Sequence, residues 1–155
     1  MKGRITKLGA IALATAIGFA TVATLVQAAD PISERREAMK GNGAAMKAIN
    51  EALKNGGSAA DLAPHAAKIH DTAMKVATLF PAGTDQPQGK DPGQTMAKAE
   101  IWQKPDEFAA AVKKLQDESA MFQTAVAGGD MGVIKAEFEK LGGACGDCHK
   151  AFRAK

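Results

Sequence analysis

The sequence predicts an all-α fold, an antiparallel up-and-down bundle of four helices. Three observations predict it. Four segments carry apolar residues three and four apart; Asp, Pro and Gly stand where those segments begin and end; and the chain is rich in Ala, Lys, Glu and Met but has no Tyr and few β-branched runs. Its 155 residues suffice for one domain with a real core.

Residues 1–28 read as a secretory signal rather than as part of that fold. Lys2, Arg4 and Lys7 give a basic start, an apolar stretch runs from Leu8 to Val26, and Val26-Gln27-Ala28 offers the small residues that signal peptidase needs. The stretch is nearly long enough to be an uncleaved anchor, but its many Ala, Gly and Thr make it weakly apolar. Cleavage after Ala28 leaves residues 29–155 as the folded domain, exported to the periplasm without stable membrane insertion. The formal charge of +3 then disappears, because the signal holds three basic residues and no acid, and the remainder has 17 basic residues against 17 acidic ones. A chain near neutrality offers no electrostatic case for a nucleic-acid partner.

The elements follow in order. Asp30-Pro31 makes a capped start with proline at the first helical position, and Ile32, Met39, Met46 and Leu53 recur every seven residues until Asn55-Gly56-Gly57. A second helix starts near Asp61, with Pro64 in its first turn, where amides have no helical acceptor. Leu62, Ala66, Ile69, Ala73, Val76 and Phe80 form its stripe, and Pro81 ends it. Residues 81–104 are dense in Pro, Gly, Asp and Gln and predict a long connection with a helical turn near Met96 to Trp102. Pro105 opens a third helix with Phe108, Val112, Leu115, Ser119, Phe122 and Val126 on one face, ending at Gly128-Gly129. Asp130 caps the fourth, whose stripe is Met131, Ile134, Phe138, Leu141, Cys145, Cys148 and Phe152. Short links make the first and second helices, and the third and fourth, antiparallel neighbours.

The chemistry is concentrated in C-G-D-C-H, residues 145–149. Cysteines three apart on a helix point the same way and can reach two vinyl groups of one porphyrin, and His149, one turn after Cys145, can put an imidazole nitrogen on the iron. The spacing therefore points to one covalently attached haem c, with Cys145 and Cys148 as tethers and His149 as proximal ligand. A periplasmic disulfide, a thioredoxin-like dithiol or part of a zinc site are the other uses of such a motif. They fit less well: a dithiol motif sits at a helix N-terminus after a strand, and no second Cys pair exists.

With this motif on the last helix of an all-α precursor, the sequence resembles the class II c-type cytochromes, that is, cytochrome c′ and its low-spin, methionine-ligated relatives of the cytochrome c-556 type. The resemblance covers essentially all of residues 29–155. It is most specific in C-G-D-C-H-K-A-F-R at 145–153 and in R-x-x-x-M-K-x-N-G beginning at Arg35. It implies that Met39 is the distal iron ligand, as in the low-spin group, and that Arg35 lies near a haem propionate, where a guanidinium can pair with the carboxylate. Arg153 matches the family's basic residue after the aromatic. Met39 also fits its heptad as a plain core residue, and some cytochromes c′ have a non-ligating apolar side chain there.

The sixth iron position separates the functions that the resemblance implies. His149 and Met39 together give a low-spin iron and a one-electron carrier for redox proteins of a periplasmic chain, with no substrate turnover. The alternative is a five-coordinate, high-spin cytochrome c′ that binds NO or CO, with Met39 only a wall. A peroxidase lacks a motif-placed distal histidine or arginine, unless Arg35 or Arg36 serves. His65 and His70 read as boundary residues of the second helix, and Trp102 as a cover for one end of the bundle. The seams are rich in alanine, so a porphyrin between the first and fourth helices would fill core that the side chains leave short. Pairing of two copies through the first two helices, as in many relatives, is a further implication.

Overall fold

The computed structural model describes residues 30–85 and 95–154. The expected signal, residues 1–28, lies outside the described residues, as does the middle of the long connection.

The Asp30 carboxylate accepts from the otherwise orphaned amides of Ile32 (3.4 Å) and Ser33 (3.0 Å) and starts α1, Pro31–Lys54. Just beyond its end Gly56 stands at φ 77°, a conformation that glycine adopts at little cost. α2 is Ala59–Lys75, and it begins ahead of the expected Asp61 because Ser58 and Asp61 build a capping box. The Asp61 amide donates to Ser58 Oγ at 3.4 Å, while the Ser58 amide and hydroxyl both donate to the Asp61 carboxylate at 2.8 Å. Pro64 consequently falls in the second turn rather than the first. Regular α-helix stops at Lys75 and a 3-10 turn, Val76–Leu79, follows, since Pro81 disfavours the helical conformation at Phe80.

Ser58→Ala is expected to lower stability by about 1 kcal/mol. The Ser58 bonds hold the Asp61 carboxyl below its ordinary range, so the carboxylate's contribution is full above that range and is lost as pH falls through the depressed value. Denaturant unfolding of both proteins should show a gap at neutral pH that narrows in acid.

α3 is the single turn Glu100–Gln103, α4 is Pro105–Gly128 and α5 is Met131–Phe152. The expected turn near Met96 starts later because Met96 spends its backbone elsewhere: its carbonyl accepts from Ala154 N (2.8 Å) and the Lys98 amide donates to Phe152 O (3.0 Å). The end of the connection is thereby stitched to the end of α5. Gly129, at φ 78°, closes α4 with its amide bonded to Ala125 O and Val126 O. Asp130 caps α5 through Gly132 N (2.8 Å) and Val133 N (3.1 Å).

The four long helices form a four-helix bundle in which α1 packs on α2, α2 on α4 and α4 on α5. Ile49, Leu62, Ile69, Phe122, Ile134 and Leu141 are fully buried at its centre, each stabilising by roughly 1.5–3 kcal/mol. A second cluster of Ala97, Ile101 and Phe152, with Phe80, Trp102, Phe108 and Cys148 against it, closes one end. Phe80, Phe108 and Phe152 stack edge to face there, at 5.1 and 5.4 Å between centroids. Among the described residues no helix is long and apolar enough to cross a membrane.

Candidate haem site

The remaining flank of the bundle, between α1 and α5, differs from the other three. These two helices do not pack backbone to backbone along their length. Side chains meet across it instead: a Cβ on Gly142 would stand 3.9 Å from the terminal methyl of Met46. Met39 lies two turns earlier on the same stripe, half-buried against the main core, and Cys145 lies one turn past Gly142. The structure thus puts the predicted ligand-bearing stripe of α1 and the C-G-D-C-H turn of α5 on the two walls of one seam.

Both cysteines are free and half-buried. Cys145 packs against the main core and Cys148 against the end cluster, so the motif bridges the two. Burial pushes both thiols above the ordinary cysteine value, and Cys145 adds to the rise at Cys148. Neither is the activated thiolate that a thioredoxin-like reaction requires. Among the described residues no three His, Cys, Asp or Glu side chains converge as a metal cage, so Cys145, Cys148 and His149 make no zinc site of their own. His149 has an exposed edge, yet its partial burial, with a smaller contribution from Arg153, holds the imidazole below its usual value. That direction favours the neutral ring, whose nitrogen lone pair can bind a metal. Asp147 is tied to Lys114 of α4 at 2.7 Å on the exposed side, with its carboxyl lowered and the lysine raised by that contact.

Arg35, expected beside a propionate, is a buried hub, only 4% exposed. One terminal nitrogen donates to Leu79 O (3.2 Å) and Thr84 Oγ1 (3.0 Å), the other to Thr84 O (2.7 Å) and Thr95 Oγ1 (2.7 Å). Its guanidinium carbon lies 4.8 Å from the centre of the Phe80 ring. Among the described residues no carboxylate is within ion-pair distance, and burial lowers its pKa against a smaller opposing pull from Asp30. The cation therefore clasps the long connection at two points, Thr84 and Thr95, onto α1. Trp102 completes the closure, with its indole N–H shared between Phe80 O and Pro81 O at 3.1 Å each.

His70 is occupied far from this seam. The Ser119 hydroxyl donates to Gln116 O (2.9 Å) and accepts from His70 Nδ1 (3.1 Å), a pin between α2 and α4. Asn42 falls within the R-x-x-x-M-K-x-N-G stretch that begins at Arg35, but the sequence alone assigns it no role. Its Oδ1 is buried and has no hydrogen-bond partner among the described residues, a situation that costs about 1–3 kcal/mol. The orphaned amide oxygen, the Arg35 cation with no carboxylate against it among the described residues, and the two half-buried thiols on a seam lined by Met39 and Met46 are features that a porphyrin with two propionates fits.

An all-α bundle with two thiols and an adjoining imidazole in C-x-x-C-H on its last helix has the build of a c-type haem protein of the four-helix class. A family profile described as Cytochrome C′ matches residues 30–153. The chain is similar to a cytochrome c′ of Rhodospirillum rubrum, 34% identical over 146 residues that make up 92% of this chain and 96% of that one. It is also similar to a cytochrome c-556 of Agrobacterium fabrum, 31% identical over 84% of this chain and 85% of that one. Its fold matches the structure of a cytochrome c′ described as having an unusual ligand-controlled dimer dissociation, with TM-score 0.76 and 25% identity over 83% of this chain and 100% of that one. The chain belongs to the cytochrome c′ family, and it carries one covalently attached haem c.

Proposed function

We propose that the protein is a periplasmic mono-haem electron carrier, exported by residues 1–28, that performs no substrate turnover. The observation that supports this most is the α1–α5 seam, where Met39 stands on one wall and the C-G-D-C-H turn on the other. The haem, when bound, supplies the one-electron iron couple. Cys145 and Cys148 would tether it to α5 by thioether bonds, His149 would supply an imidazole nitrogen to the iron, and Met39 would supply a thioether sulfur. With two protein ligands the iron would be low-spin and would exchange an electron with little rearrangement. Arg35 has both terminal nitrogens engaged, so its Nε–H and its charge are what it offers a propionate. Acidic redox proteins are the partners that surface lysines near α5 would steer, and two copies pair through α1 and α2.

The test is an optical and magnetic spectrum of the oxidised holoprotein. The proposal expects low-spin iron with a methionine-to-iron charge-transfer band. A high-spin spectrum favours the second reading, a five-coordinate protein that binds NO or CO, which the name of the Rhodospirillum rubrum relative supports.

A further inference from the structure

Asn42 has no role in the electron-carrier reading. It stands in the middle of α1, with Met39 three residues before it and Met46 four residues after it, so all three share one helix face. That face is the one whose Met46 reaches Gly142 of α5. The opposite flank of the same turn is marked by Gly41, where a Cβ would come within 3.3 Å of Lys68 Cε on α2. The Asn42 amide is therefore on the seam side of α1, and its buried oxygen end meets no partner among the described residues. Helix position makes the orphan unusual: a solvent-facing asparagine would satisfy itself with water, and a core position would hold an apolar residue. A primary amide can turn its N–H or its C=O to the same point by a half-turn of its terminal torsion, so the buried end can act as a donor.

We infer that Asn42 is the polar group of the distal haem face, and that its side-chain N–H donates a hydrogen bond to a small diatomic ligand on the sixth iron position whenever Met39 does not hold it. The inference rests on the proposed placement of the haem between α1 and α5, with His149 on the far face. It does not depend on whether Met39 is a ligand. In consequence the protein would discriminate among diatomic ligands by polarity, retaining those whose outer atom accepts a hydrogen bond.

Carbon monoxide on the ferrous holoprotein is the probe, in a Met39→Ala background that leaves the sixth position open under either reading. A donor near the outer atom lowers the C–O stretching frequency and slows release. Adding Asn42→Leu should therefore raise that frequency and speed CO release roughly two- to tenfold, the range that one net hydrogen bond spans. Asn42→Gln in the same background should restore part of both effects, and Asn42→Ala should repeat the leucine result without demanding extra volume. A purely structural role for Asn42 would move the melting temperature and leave the C–O frequency where it was. Equal frequencies and release rates with and without the amide would overturn the inference alone. Failure of ferrous Met39→Ala to bind CO at all would overturn the axial placement together with it.

Discussion

Arg35→Met should lower the unfolding free energy of the holoprotein by about 3 kcal/mol, well beyond an ordinary surface substitution. Methionine approximates the length and fills the volume beside Phe80, but it removes every bond to Leu79 O, Thr84 O, Thr84 Oγ1 and Thr95 Oγ1. Thr84 Oγ1 keeps a partner in Pro81 O and Thr95 Oγ1 keeps one in Ala97 N, whereas among the described residues the two carbonyls accept from the guanidinium alone. Two orphaned carbonyls near the interior, at about 1–3 kcal/mol each, set the scale. Arg35→Lys keeps the charge but not the planar fork that reaches Thr84 and Thr95 together, so it should recover only part of the loss. Urea unfolding measures this directly. A methionine variant within 1 kcal/mol of the wild type would mean that the clasp on the connection contributes little.

The second large effect belongs to the tethers. Cys145→Ala with Cys148→Ala should yield a protein from which haem is extracted by acidified organic solvent, and whose thermal transition is broader and lower by roughly 10 °C or more, corresponding to about 2–3 kcal/mol of lost linkage. The interior explains why. Ala45, Ala66, Ala73, Ala125 and Ala144 are among the buried positions, and α1 is joined to α5 by side chains rather than by close backbone packing. Small side chains on an unclosed flank leave the holoprotein reliant on its cofactor for contact across that flank. A double variant whose circular dichroism melt coincided with that of the holoprotein would refute this reliance.

Much of the fold could be read from the chain because its signals are local. Asp30, Pro31, Asn55, Gly129 and Asp130 act through their own backbone neighbours, and the bounds of α1, α4 and α5 fall where those residues stand. α2 starts ahead of the expected Asp61 because Ser58 is the N-cap and Asp61 its N3 partner in a reciprocal capping box, so the acid marks the end of the first turn rather than the start. The 3-10 turn at Val76–Leu79 continues the apolar period, so periodicity could not reveal it. At the candidate site, Cys145, Cys148 and His149 stand out in the chain because the motif is contiguous, and Met39 because it coincides with the ligand-bearing methionine of the low-spin group that the sequence resembles; their roles toward the haem are proposals. What escaped the sequence lies in contacts across long separations. Arg35 grips Thr84 and Thr95 across 49 and 60 residues, and no local pattern distinguishes that arginine from one on a wet surface. Asn42 escaped for a different reason, since the seam it faces exists only once α1 and α5 are placed.

The claim on which function turns is that Met39 and His149 address opposite faces of one iron. The spectrum of ferric Met39→Ala beside the wild type tests it most directly. The account predicts a low-spin wild type whose charge-transfer band vanishes in the variant as the iron becomes high-spin, with α-helical circular dichroism unchanged. A variant with the same spin state and the same bands as the wild type would contradict it.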